Sequence, residues 1–299
     1  IISGALFLER ENETLKELWG KRILKMAGIL LAWSFVYYIY DTIHMSGKID
    51  ILTALKQIYT DHAKFHLWYL YIYIAFLVSL PFLRAMVQKL ETKYFYYMIG
   101  LAVFLNGILP VAEYLMGQGS MVLNSDLKIS WLLMDIVLYP SLGYFLQTRV
   151  DYSRMNRKLA LIWIGAAAGM ILCCYMTCYR ADVINSLAEG ESQVFHQSFV
   201  IVNCIAVFCT VRVVCEKRNI SGRLKTVIMS LGKAAFGIYL MHILVMESGW
   251  MDRVLHMLWA TGLNDMICVL IYCLFVMAVC YGITLVMSKI PVLKKTVGY

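Results

Sequence analysis

Runs of about twenty apolar residues recur along this chain, and nothing else in it constrains the fold as strongly. A helix rises about 1.5 Å per residue, so about 20 residues cross a hydrocarbon core of about 30 Å. Windows of about 19 residues place eight complete runs, at 23–43, 66–86, 94–115, 130–147, 159–178, 196–215, 228–248 and 264–288. In lipid the backbone polar groups must be satisfied internally, which leaves helices or a closed barrel. A barrel would show short alternating strands instead. The expected fold class is therefore all-α: a polytopic transmembrane helix bundle, read as one domain over 1–299. Composition agrees: of 299 residues, 61% are hydrophobic and 15% charged, against about 45–50% and about 25% in soluble domains.

Charge then sets an expected orientation. The net charge is +8, and the basic residues are not spread evenly. One set of loops holds Arg10, Lys16, Lys21, Arg22 and Lys25, then Arg84, Lys89 and Lys93, then Arg149, Arg154, Arg157 and Lys158. It continues with Arg212, Lys217, Arg218, Arg223 and Lys225, and ends with Lys289, Lys294 and Lys295. The alternate loops are poorer, with Lys48, Lys56 and Lys64, then Lys128, Arg180 and Arg253. Basic residues mark the cytoplasmic side. The expectation is a multi-pass protein of a bacterial-type plasma membrane, its C-terminus cytoplasmic, with the lipid bilayer as partner and no nucleic acid. Ahead of the first complete run stands IISGALFL, whose eight residues cover only about 12 Å as a helix. It reads as the inner part of a span whose beginning, and the span before it, lie outside this sequence.

Several chemistries find no support. Most of the nine Cys lie within apolar runs and none forms a C-x-x-C pair, so they read as small hydrophobes. There is no P-loop, H-E-x-x-H, G-x-S-x-G or dinucleotide fingerprint. No metal site is expected, because the His and carboxylates are few and dispersed. GAAAG at 165–169 reads as a small-residue stripe for close helix packing.

Ionisable residues inside spans are costly and are functional candidates. His66 opens its run, Asp135 stands about a turn inside another, and His242 lies within FGIYLMHILVMES. Glu247 follows near the end of the same run, Glu113 closes LAVFLNGILPVAE, and His196 opens the 196–215 run. By the loop charges all of these lie at mid-depth or towards the outer leaflet. His196 and His256 read as interfacial anchors. Trp68 and Tyr69 fit an aromatic belt.

Five stretches, in this order, resemble the membrane acyltransferase-3 family. IISGALFL is similar to its second span, and KRILKMAGILLAWSFVYYI to its basic cluster leading into a Trp-Ser span. HLWYLYIYIAFLVSLPFLR resembles its His-Leu-Trp-aromatic-Leu segment ending in Pro and Arg. LGKAAFGIYLMHILVM resembles its Gly-x-x-x-Phe-Gly-Ile-Tyr-Leu-x-His span, and KIPVLKKTVG its tail. Family members typically have about ten spans, the first carrying a basic residue followed by a catalytic His. That span is not in this sequence, and Ala27-Gly28 stand near the place of a Pro that usually follows the basic cluster.

The resemblance implies transfer of an acyl group, acetyl in the first instance, from cytoplasmic acetyl-CoA as co-substrate to a hydroxyl of an extracytoplasmic glycan or cell-wall precursor. Arg22, Lys25, Arg84 and Arg154 would then face the anionic donor. His66 and His242 would carry the acid–base chemistry, with Asp135 or Glu247 orienting a ring. Trp68, Tyr69, Tyr239 and Glu113 would line the acceptor side. A transporter or amino-acid-handling module, with His66, Asp135 and His242 as a relay, is the alternative; no inverted repeat or pair of matched broken helices accompanies it.

Overall fold

The computed structural model describes residues 1–10, 13–45, 47–117, 123–124, 129–153, 155–184, 199–217 and 222–298. Among these, every regular element is a helix. They are α1 (Ile2–Phe7), α2 (Leu24–His44), α3 (Ile51–Thr60), α4 (Trp68–Lys89), α5 (Thr92–Ala102), α6 (Leu109–Gly117), α7 (Ser130–Leu133), α8 (Asp135–Thr148), α9 (Asn156–Ile184), α10 (Val200–Lys217), α11 (Gly222–Met246), α12 (Gly249–Trp259), α13 (Asp265–Lys289) and α14 (Pro291–Thr296). A single helical turn, Leu15–Glu17, and a π-type turn, Leu18–Ile23, lead into α2; a second π-type turn, Val103–Ile108, joins α5 to α6; a 3₁₀ turn, Phe65–Leu67, leads into α4.

Among the described residues, six stretches are long and apolar enough to cross a membrane: Leu15–His44, Phe65–Lys89, Thr92–Glu113, Arg157–Tyr179, Gly222–Met246 and Asp265–Lys289. Two of the eight expected runs give different helices. The 130–147 run is interrupted at Met134, whose ψ of 141° is extended, and leaves α8 with only 14 residues. The 196–215 run yields α10, an 18-residue helix that takes in Arg212, Glu216 and Lys217.

Two compact units divide the chain: Ile1–Leu15 with Val78–Asn219, and Lys16–Leu77 with Ile220–Tyr299. In the first, α1 lies directly on α8. A Cβ on Gly4 would stand 2.0 Å from the Pro140 carbonyl oxygen, and one on Gly143 2.0 Å from the Ile1 carbonyl oxygen. Only hydrogen fits at either place, so the two backbones touch. The last carbonyls of a helix lack intrahelical partners, and here α4 supplies them. Arg84 Nε donates to the Phe7 carbonyl at 2.9 Å and Gln88 Nε2 to that of Leu8 at 2.9 Å. In the GAAAG stripe Ala166 and Gly169 are buried, and a Cβ on Gly169 would meet the Phe199 side chain at 2.8 Å, but Gly165, Ala167 and Ala168 are exposed.

The second unit is built around α2, α11 and α13. Its core takes Ile29, Leu30, Trp33 and Tyr37 from α2, Leu240, Met241, Ile243 and Val245 from α11, and Tyr272, Val276 and Cys280 from α13. Two polar bonds fix the registry of this apolar contact. The Tyr37 hydroxyl donates to the Leu240 carbonyl at 2.8 Å, and Trp33 Nε1 to the Thr296 carbonyl at 3.0 Å. Gly237 lets α11 approach α13; a Cβ there would meet Thr284 Cγ2 at 2.6 Å. The same stretch of α11 carries His242.

Candidate functional site

The second unit brings the two expected histidines together. His66 enters from the 3₁₀ turn ahead of α4 and His242 from the middle of α11; their ring centroids are 5.0 Å apart at 77°. Tyr37 packs edge-on to His66 at 5.0 Å and Tyr239 at 5.6 Å. Residues three apart on a helix share a face, so Phe236, Tyr239 and His242 form one stripe on α11. The Tyr239 hydroxyl donates to the backbone carbonyl of His66, pinning the turn to this stripe.

The two rings differ in their hydrogen bonding. His242 Nδ1 lies 2.7 Å from the Tyr239 carbonyl oxygen. A carbonyl only accepts, so Nδ1 carries the proton and the neutral ring keeps its lone pair on Nε2. His66 is only 5% exposed, and neither of its ring nitrogens has a hydrogen-bond partner among the described residues. Such a buried unpaired polar group costs free energy and calls for an explanation.

Beside the histidines stands an ion triad that the sequence reading did not single out. Lys64 Nζ bonds Glu247 Oε1 at 2.8 Å and Asp41 Oδ1 at 3.0 Å. Lys64 stands two residues before His66 and Glu247 five after His242, so the triad ties together the segments bearing the two rings. Burial works against the Lys64 charge, but hydrogen bonds and charge from Glu247 and Asp41 outweigh it and raise its pKa above the ordinary lysine value. Glu247 therefore pairs with Lys64, while the ring-orienting group at His242 Nδ1 is a backbone carbonyl. Asp41 and Lys64 could not be found from spacing, because each is an ordinary span-end charge until its partners are known.

An aromatic wall continues from the pair. Tyr69 lies edge-on to Tyr239 at 5.7 Å and stacks on Tyr73 at 5.9 Å; Trp68 meets Tyr69 at 6.3 Å. Trp68 and Tyr69 are exposed. Of the basic candidates in this unit, Arg22 is half-buried and Lys25 exposed. The remaining candidates belong to the first unit. Asp135 is exposed at the start of α8, where its charge suits the positive end of the helix. Glu113 accepts the Leu123 backbone N–H at 2.5 Å. Arg84 is buried and pairs with Glu13 at 2.7 Å through Nη2. Arg154 and His196 lie outside the described residues. Among the described residues no cluster of His, Cys, Asp and Glu has the makings of a metal site.

A family model described as an acyltransferase domain, that of the acyltransferase-3 family, matches residues 1–285. No curated protein and no solved structure matches. The match runs through α1, the His66 turn and the His242 stripe alike, and among the described residues six helices have the length and apolarity of spans. The chain is a multi-pass membrane protein belonging to the acyltransferase-3 family.

Proposed function

We propose that this protein is an integral-membrane O-acyltransferase. It moves an acyl group, acetyl in the first instance, from acyl-CoA on the cytoplasmic face to a hydroxyl of an extracytoplasmic glycan or cell-wall precursor. The observation that carries this reading is the His242 ring, held by Nδ1 with its Nε2 lone pair free, beside a buried His66 with two unpaired nitrogens. A hydroxyl is a weak nucleophile near neutral pH, and a positioned imidazole that takes its proton typically contributes about 10²–10⁴-fold. In this scheme Nε2 of His242 accepts the acceptor's O–H proton while the oxygen attacks the thioester carbonyl carbon. The C–O bond forms, the C–S bond breaks, and the departing thiolate takes the proton from the imidazolium. His66 binds or orients a polar group of the reacting pair through its free nitrogens. Trp68 and Tyr69 offer flat faces to a sugar ring, and Arg22 and Lys25 meet the donor's phosphates. The loop charges support a plasma-membrane protein with eight crossings and a cytoplasmic C-terminal end.

The test uses the full-length protein in proteoliposomes with labelled acetyl-CoA and a panel of glycan and cell-wall acceptors. Label is expected on an acceptor hydroxyl, with His242→Ala reducing transfer by at least about 100-fold at matched protein. Transfer that survives His242→Ala unchanged would remove His242 from the chemistry. Solute movement across the vesicle without any ester product would favour the transport alternative.

A further inference from the structure

Helix α3 is amphipathic with an apolar arc wider than the surface it packs on. At about 100° per residue, Ala54, Ile58, Ile51, Leu55, Tyr59 and Leu52 follow one another round the helix, and Lys56, Thr60, Thr53 and Gln57 fill the rest. Ala54 and Ile58 are buried against the second unit. The other half of the arc is open: Ile51 is 66%, Leu52 60% and Tyr59 91% exposed. An open apolar face of this kind marks an interaction surface.

Chain geometry says what covers it. The stretch leading from α2 to α3 begins at Met45, directly after the candidate span ending at His44, and Asp61–Lys64 lead straight into the one beginning at Phe65. Both ends of α3 are also held to side chains inside those spans. The Asp50 N–H donates to the Tyr38 hydroxyl at 3.4 Å, and the Tyr71 hydroxyl donates to the Ile58 carbonyl at 2.8 Å. Tyr38 precedes His44 by six residues and Tyr71 follows Phe65 by six, about 9 Å of helix in each case. The helix is thus tethered at the level where the hydrocarbon core begins. Lys48 and Lys56 stand against Asp50 and Asp61, and Lys64 is paired with Asp41 and Glu247, so the surrounding charge selects neither an anionic nor a cationic surface.

We infer that α3 is an interfacial helix lying in the membrane plane, with Ile51, Leu52, Leu55 and Tyr59 sunk among the lipid acyl chains. The partner is the bilayer itself, engaged through apolar burial. Because Tyr71 is on α4 five residues after His66, lipid contact at α3 bears directly on the segment that carries His66. The inference rests on the helix and its tethers and is independent of the acyl-transfer reading.

The experiment places the photo-crosslinker p-benzoylphenylalanine at Leu55, Tyr59, Gln57 or Thr60 of the full-length protein in native membranes. Leu270, exposed on α13, sets the yield of a lipid-facing site. After illumination, phospholipid adducts are read by mass spectrometry. Leu55 and Tyr59 are both exposed, so neither substitution disturbs packing. The expected result is lipid adducts at Leu55 and Tyr59 near the Leu270 yield and at least about fivefold above Gln57 and Thr60. Equal yields at all four α3 positions, or adducts to a second copy or another protein at Leu55 and Tyr59, would overturn the inference.

Discussion

Lys64 shows how much a single side chain does in this molecule. It is half-buried between two carboxylates, Asp41 on α2 and Glu247 just past the end of α11. Replacing it with Met leaves those carboxylates facing each other without a cation. The side chain is 17% exposed and its partners 32% and 38%, so screening holds the expected loss to about 1 kcal/mol. Its pKa is raised on folding, which fixes the sign of the pH dependence. The stabilisation is fully present below the ordinary lysine pKa of about 10.4 and fades as pH rises through the higher folded value. The Tm difference between parent and Lys64→Met is therefore expected to stay constant from neutral pH to about 10 and to shrink above that. A difference already gone at pH 9 would show that the triad does not hold the Lys64 charge. The histidines themselves were legible in the sequence, because an ionisable group in an apolar run stands out. Lys64 was not: one partner is 183 residues away, and only the fold makes the three charges one cluster.

Among the elements, α1 depends most on the absence of side chains. Over Ile2–Phe7 it is held by close backbone packing. Gly4 and Gly143 allow backbone contact with α8, and Arg84 and Gln88 take the carbonyls at its end. An added methyl at Gly4 would meet the Pro140 backbone, which cannot rotate aside as a side chain would. Gly4→Ala is expected to cost about 1–3 kcal/mol and to lower the Tm, while Gly20→Ala, with open space around it, leaves it nearly unchanged. An equal Tm in both variants would mean that α1 is held without the close contact. From sequence, IISGALFL was readable as part of an apolar helix, but its docking was not. Nor was the break at Met134 visible within 130–147, since hydropathy windows register apolarity and not backbone direction. The six long spans were legible for the opposite reason: length and apolarity are the signal, and in lipid they suffice to dictate helix.

For the whole molecule, the sequence supports a statement about sidedness that helix geometry alone does not. Every second loop is rich in Lys and Arg, from Arg10 to Lys295. If α8 and α10 each cross the membrane, the basic loops all fall on one side; if either fails to cross, the loops after it change sides and the alternation breaks. The short α8 is therefore the decisive element. It reaches a thickness of about 21 Å in its 14 residues, less than a full core, so a crossing there needs α7 in line with it or local thinning of the bilayer. Reporter insertions resolve this. A fluorescent protein that matures only in the cytoplasm, placed behind α14 or in the loop at Asp151, is expected to fluoresce. Alkaline phosphatase, active only outside, is expected to work at Gly47 and Gly262. Active phosphatase at both Gly47 and Asp151 would mean that the number of crossings between them is even, so that α8 does not cross, and would end the eight-span reading.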